Sequence, residues 1–403
     1  MIFVLLSLSF LYLGFRYKEK PLYFILLVGI FPFGGGFSDL IFKSGLFAYD
    51  FYFIAIVIRE IFHLLKGEAT LLKTLLRLPL IIICAYAILS VSFITLDKYF
   101  FRDIRLIMYF AEFYMLISMY KYFSVLKVDQ WMLIMIAYSV SNIGYLSLSL
   151  LGFVHHSDSY VVKIGFRYSD LSSYIASLFF IASPLMWNGL KVNRKLLIAA
   201  SIVSLLSVSV TGSRMLFVLT LAGFMFLYLA NPLRFILSGL LAMIVTIPLL
   251  ALSNIKLVTR LTNLSFSEVA DGLVIRYSPF WDVVDTFEWY NYLLGKGFGL
   301  VFIIPWFEFR DVHVDSINNN IDTTYLTLYA KMGIFTCFVL FFYLKHIFYF
   351  LNFNFKLGCC LVFYMLCTFL VVALPYQSHA IGIALGLIIV KAILSDGKDD
   401  YQN

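Results

Sequence analysis

The chain has 403 residues, 62% of them hydrophobic and only 13% charged, with a formal net charge of +7, where a water-soluble domain carries about 25% charged residues. With a 19% share of aromatic residues, this composition excludes disorder and low-complexity scaffolds and points to a bilayer environment. The lysines and arginines are spread thinly, with no clustered phosphate-tracking surface, so nucleic acid is excluded as a partner.

Apolar runs separated by short polar stretches centre on residues 2–15, 21–33, 47–63, 78–96, 105–120, 131–153, 171–189, 196–211, 214–230, 235–253, 323–343, 358–374 and 379–394. They are continuous rather than alternating, so they predict helices, not barrel strands. The expected fold is therefore all-α, a polytopic transmembrane bundle of about 13 spans at the usual span length. Residues 1–403 would form a single integral membrane domain.

The first run is followed, not preceded, by its basic residues Arg16, Lys18 and Lys20. This is the wrong polarity for a cleaved signal peptide and predicts an extracytoplasmic N-terminus. With alternating loops, most lysines and arginines fall on the cytoplasmic side, as the positive-inside rule asks. The expected location is a bacterial inner membrane, multi-pass, with membrane lipids as surroundings. Cys84, Cys337, Cys359, Cys360 and Cys367 lie within apolar runs and read as small hydrophobes, with no disulfide framework.

Residues 254–322 interrupt the pattern as one large loop on the extracytoplasmic side. Trp281, Trp289, Tyr290, Tyr292 and Trp306 are interleaved there with charges, a composition suited to short amphipathic helices at an interface. Such a segment reads as a lid over a cavity, the plain alternative being a cap without chemistry. Within it Leu294-Gly295-Lys296-Gly297-Phe298-Gly299 has glycines at alternate positions, which permit positive φ and close backbone approach. Its lysine lacks Walker spacing, so a turn after a helix is expected rather than a nucleotide loop.

Four positions on the outer side carry candidate chemistry. Arg167 lies in Gly165-Phe166-Arg167-Tyr168, Arg214 in Thr211-Gly212-Ser213-Arg214, Arg276 in Val274-Ile275-Arg276-Tyr277-Ser278-Pro279-Phe280-Trp281, and Asp322 in Ile321-Asp322-Thr323-Thr324-Tyr325-Leu326. Arginine at membrane depth is costly and normally has a partner or a task, and its fork binds phosphate through two hydrogen bonds. Several converging arginines suit a lipid diphosphate; the alternative is that each snorkels to the interface or pairs with a nearby acid such as Asp170.

In this order, with Lys331-Met332-Gly333-Ile334 following, these motifs resemble the O-antigen polymerase and ligase superfamily over roughly residues 150–345. Its members are polytopic membrane glycosyltransferases of the GT-C type, including the Wzy polymerases and the O-antigen ligases. The resemblance implies a surface-polysaccharide polymerase that joins oligosaccharide repeats carried on undecaprenyl diphosphate at the extracytoplasmic face. Donor and acceptor would be the partners, with a chain-length regulator protein as a further one and no cofactor. Arg214, Arg276 and Asp322 would be the catalytic residues, and Arg167, Tyr325, Tyr277 and Trp281 would bind substrate. Where many relatives have His-Asn before Tyr-Leu, this chain has Asp322; an ionised aspartate can accept a proton but not donate one. That departure favours a polymerase over a ligase.

A transporter for the same lipid-linked glycans is the rival from another class. Transporters place polar residues in both halves, whereas here the polar features gather in the second half. No metal is expected: Asp311-Val312-His313-Val314-Asp315 reads as a solvated acidic stretch, and His155 and His156, beside Asp158, read as interfacial residues rather than ligands. Glu112, in the fifth run, is expected to pair with Arg105 on nearly the same helix face.

Overall fold

The computed structural model describes residues 2–16, 20–30, 47–64, 77–91, 97–150, 171–186, 193–210, 214–228, 266–304, 317–377 and 380–396. In chain order the helices are α1 (Ile2–Arg16), α2 (Pro21–Ile30), α3 (Asp50–Leu64), α4 (Leu78–Val91), α5 (Lys98–Asp103), α6 (Arg105–Ser118), α7 (Tyr120–Phe123), α8 (Val128–Leu150), α9 (Leu171–Met186), α10 (Arg194–Val210) and α11 (Arg214–Tyr228). There follow α12 (Phe266–Val284), α13 (Asn291–Leu294), the strands β1 (Phe302–Ile303) and β2 (Ile317–Asn318), then α14 (Thr324–Met332), α15 (Phe335–Phe350), α16 (Phe355–Val371), α17 (Leu374–Gln377) and α18 (Ala380–Asp396). The two strands form one antiparallel pair, Phe302 opposite Asn318 and Ile303 opposite Ile317.

Local chemistry sets several of the helix starts. The Asp97 carboxylate accepts from the amides of Tyr99 and Phe100, both at 2.9 Å, and caps α5. Asn354 does the same for α16 through the Leu357 amide, at 3.2 Å. Asp50 opens α3 and accepts from the Phe47 amide at 2.7 Å. The first two satisfy donors that a helix N-terminus leaves orphaned, while Asp50 reaches back to the turn that leads into α3.

Where they are described, the apolar runs become helices but not spans. Among the described residues no helix is long and apolar enough to cross a membrane. The run at 47–63 yields the 15-residue α3, about 22 Å of helix at 1.5 Å per residue, and it carries Asp50, Arg59, Glu60 and His63. Hydrocarbon about 30 Å thick asks for more. The run at 323–343 is cut at Gly333, whose φ of 55° ends α14. The 23-residue α8 is long, but Asp129, Gln130, Asn142 and four serines lie along it. The expected bundle of about thirteen spans is therefore overturned, and the expected multi-pass placement in an inner membrane with it. The run at 235–253 lies outside the described residues.

The main core is helix on helix. α18 is its central post, with Ile381 through Ile393 buried around its whole circumference, Lys391 being the one charged residue among them. It packs on α6 and α9; α9 packs on α8, α10 and α11; and α11 leads to α16. A second, smaller core of Phe280, Phe302, Ile304, Ile321 and Ala330 lies between α12, the strand pair and α14. The segment that reads as a long loop thus contains a packed unit of its own.

Candidate functional site

The C-terminal end of α16 is where the motifs meet. α11 and α16 run antiparallel: Lys356 Nζ donates to the Leu227 carbonyl at 2.9 Å and Cys360 Sγ to the Gly223 carbonyl at 3.6 Å. That register carries the other end of α11, which begins at Arg214, to the level of Phe369 and Leu370. Tyr277 Oη of α12 donates to the Leu370 carbonyl at 3.0 Å. Thr323 Oγ1 and Thr324 Oγ1 donate to the Phe369 and Val372 carbonyls at 3.3 and 2.8 Å, and Tyr325 Oη to Leu366 at 3.0 Å. The hydroxyls of Tyr277, Thr323 and Thr324 reach carbonyls that the end of a helix leaves without an internal partner, whereas Tyr325 bonds one turn further in.

α12 presents its residues through a local adjustment. Pro279 lies inside the helix and cannot donate to the Ile275 carbonyl one turn back. Ser278 Oγ fills that role at 2.9 Å. Beyond the proline, Phe280 is buried in the smaller core, while Trp281 is 58% exposed and stands four residues after Tyr277, on the same face. Arg276 and Tyr277 are half-buried. Burial raises the Tyr277 phenol above its ordinary pKa, Arg276 pulls it back and Asp322 pushes it further up. Arg276 and Asp322 therefore both lie within electrostatic reach of Tyr277. These three come from two separate motifs of the sequence, and the structure joins them.

Asp322 is singled out by its neighbours. Asn319, Asn320, Thr323, Thr324 and Thr327 are all buried, and their polar groups are turned inward: Thr327 Oγ1 donates to the Thr323 carbonyl at 2.7 Å and accepts from the Ile321 amide at 3.2 Å. Asp322 stays half-exposed in the middle of this run. Tyr325 is also half-exposed, with its ring edge-on to Phe369, and its hydroxyl is committed to α16 as described above.

Beneath this surface the glycine turn locks onto the end of α14. Gly295, Gly297 and Gly299 all have positive φ, at 70°, 93° and 94°. The amides of Lys296 and Gly297 donate to the Ala330 and Lys331 carbonyls at 2.9 Å each, and the Ile334 amide to Leu293 at 3.0 Å. Tyr86 of α4 donates to the Lys331 carbonyl at 2.6 Å and also contacts the Leu294 carbonyl. The Lys296 ammonium is taken up by Thr286 and the face of Phe287, so this lysine secures the turn.

Under the turn lies a fully buried ion pair that the sequence motifs did not reveal. Lys331 Nζ meets Asp103 at 2.6 Å, both side chains at 0% exposure. The same carboxylate accepts from the Gly299 amide at 2.7 Å and from Asn319 Nδ2 at 2.9 Å. Burial pushes the Asp103 carboxyl up from its ordinary value, and Lys331, the Gly299 amide and Asn319 pull it back. Surrounded by donors, the group is held as a carboxylate. Lys331 also lies 4.9 Å from the Tyr376 ring centre. Asp103 and Lys331 are 228 residues apart, so no local spacing announces the pair; the available signal was one lysine in an otherwise uncharged helix.

Other expectations fare differently. Arg167, the Asp311–Asp315 stretch and the group at 155–158 lie outside the described residues, and of Arg214 the helical backbone alone is described. Among the described residues no group of His, Cys, Asp and Glu could hold a metal ion. Glu112 does not hydrogen-bond to Arg105. Both of its oxygens are buried without a hydrogen-bond partner among the described residues, and the neighbouring Asp50 acts on it electrostatically. Arg105 Nη1 donates to the Tyr376 carbonyl at 3.1 Å and lies over the Phe47 ring.

No curated protein and no solved structure matches the chain. One family model matches over residues 22–125 and again over 119–399. Those segments take in both cores, the Asp103–Lys331 pair and the Arg276–Asp322 group, and on that extent the chain belongs to a family of unknown function, DUF6369.

Proposed function

We propose that the protein is a glycosyltransferase that polymerises oligosaccharide repeats carried on undecaprenyl diphosphate. The observation that carries this reading is that Tyr277, bonded to the end of α16, feels both Arg276 and Asp322, with α11 starting from Arg214 at the same level. In the reaction a hydroxyl oxygen of the acceptor repeat bonds to the anomeric carbon of the donor glycan. The bond from that carbon to the diphosphate oxygen breaks, and the electron pair leaves with the lipid diphosphate. Asp322 takes the hydroxyl proton, a role an acceptor-only carboxylate can fill. Arg276 and Arg214 are assigned to the leaving group, where negative charge grows in the transition state and cations lower the barrier most. Exposed Trp281 offers a face for a sugar ring, next to the Tyr277 phenol. The diphosphate of such a donor lies at headgroup level, so this chemistry needs cations at that level and does not require the catalytic chain to cross the bilayer.

The test is incubation of the purified protein with a single lipid-linked repeat as sole substrate. A ladder of products supports the polymerase. Reaction only after a second acceptor is supplied identifies a ligase, and a repeat that is moved across vesicles unchanged identifies a transporter; either result sinks the proposal.

A further inference from the structure

Asp103 ties down both flanks of Asp322. Asn319, three residues before it, and Lys331, nine residues after it, donate to the one carboxylate at 2.9 and 2.6 Å. The glycine turn is drawn to the same group through the Gly299 amide. Between these anchors, Thr323 and Thr324 are pinned to α16 and Thr327 closes the turn. The Asp322 backbone has little freedom left, and what fixes it is a charge on α5, an element far from it in sequence. We propose that Asp103 is a positioning residue of the transferase site, holding Asp322 in register with Arg276 on α12. This rests on the proposed glycosyl transfer. Asp103 is fully buried and touches no substrate; it acts through Asn319 and Lys331.

The placement has a consequence for rate rather than for binding. A reacting group displaced by about 1 Å can cost ~100-fold in turnover, while Arg276 lies on α12, which none of the Asp103 hydrogen bonds touches. Asp103→Asn keeps the size but cannot satisfy an ammonium, an amide N–H and the Asn319 amide together. Expected are a kcat lower by ~100-fold with KM for the lipid-linked repeat within about threefold. Hydrogen exchange should accelerate at 297–299 and 319–324 while α6 and α18 keep their protection.

Loss of one partner strands the Lys331 charge, so a second variant guards against simple unfolding. Asp103→Leu with Lys331→Met replaces the pair by apolar side chains, which buried pairs commonly tolerate without loss of fold. It retains packing but offers Gly299 and Asn319 no acceptor, and it should show the same kcat loss and the same local exchange. Wild-type turnover and wild-type exchange at 319–324 in the folded double variant would overturn the proposal. A wild-type protein that makes no ladder defeats the polymerase reading alone, and the exchange response of the two variants then still decides whether Asp103 holds the Asp322 segment.

Discussion

In the proposed transfer Arg276 is the cation on which the chemistry would turn, because it is only half-buried and adjoins Tyr277, which also feels Asp322. Arg276→Ala should lower turnover by ~100-fold or more, the scale seen when one aimed donor is removed from a transition-state anion. Arg276→Lys should recover little of it, since an ammonium cannot make the two parallel hydrogen bonds of a guanidinium to phosphate. Normal product length in the alanine variant, with the protein folded, would remove Arg276 from the site. A structural test belongs at the same scale. Gly333 has φ of 55°, and a Cβ there would overlap the Leu293 carbonyl and the Gly295 amide nitrogen. Gly333→Ala should therefore destabilise by about 2–4 kcal/mol from strain and overlap together, read as a lower midpoint in denaturant; an unchanged midpoint would mean the turn does not lock as described.

At the level of elements, the positions of the helices were legible in the sequence and their nature was not. Apolar runs located α1, α3, α6, α9, α16 and α18 because burial and lipid select the same side chains; hydropathy alone does not say which of the two covers a face. Length and interruption decide it, and these depend on features such as the Gly333 turn that a running average smooths over. The strand pair, two residues on each side, was too short to leave a pattern. Arg276, Tyr277 and Asp322 were visible as motifs, yet the Asp103 carboxylate that binds Asn319 and Lys331 was not, since its partners come from segments far along the chain. Contacts between helices also carry their own pH response. His346 of α15 shares a 2.7 Å hydrogen bond with the Tyr114 hydroxyl of α6, and burial, with Arg77 and Lys345 nearby, lowers its pKa from 6.5 to about 4. The unfolded chain then takes up the proton first, so stability present above pH 6.5 is lost as pH falls toward 4. His346→Gln keeps a partner for Tyr114 and cannot titrate; its thermal midpoint should fall less between pH 7 and pH 5 than that of the wild type. An equal fall in both would show that His346 is not buried as neutral imidazole.

For the molecule as a whole, the late helices complete the early ones. Tyr109 of α6 bonds to Tyr343 of α15 at 2.9 Å, Tyr86 of α4 reaches the end of α14, and α18 lies against α6 along its length. The approach of α18 to α6 depends on glycine: a Cβ at Gly382 would stand 2.9 Å from the Tyr109 carbonyl oxygen and 3.3 Å from its ring. Backbone cannot yield as a flexible side chain does, so the helices would have to part. Gly144 in α8 is the counterpart, a helical glycine whose added Cβ meets nothing within 4 Å. The two alanine substitutions are chemically identical and should have opposite signs. Gly144→Ala should stabilise by about 0.5–1 kcal/mol through helix propensity alone. Gly382→Ala should destabilise by about 1–3 kcal/mol as overpacking outweighs that gain, and its exchange should rise across α6 as well as α18, since one contact holds both. Were both variants stabilised equally, the close crossing of α18 on α6 would be wrong, and the central place of the last helix with it.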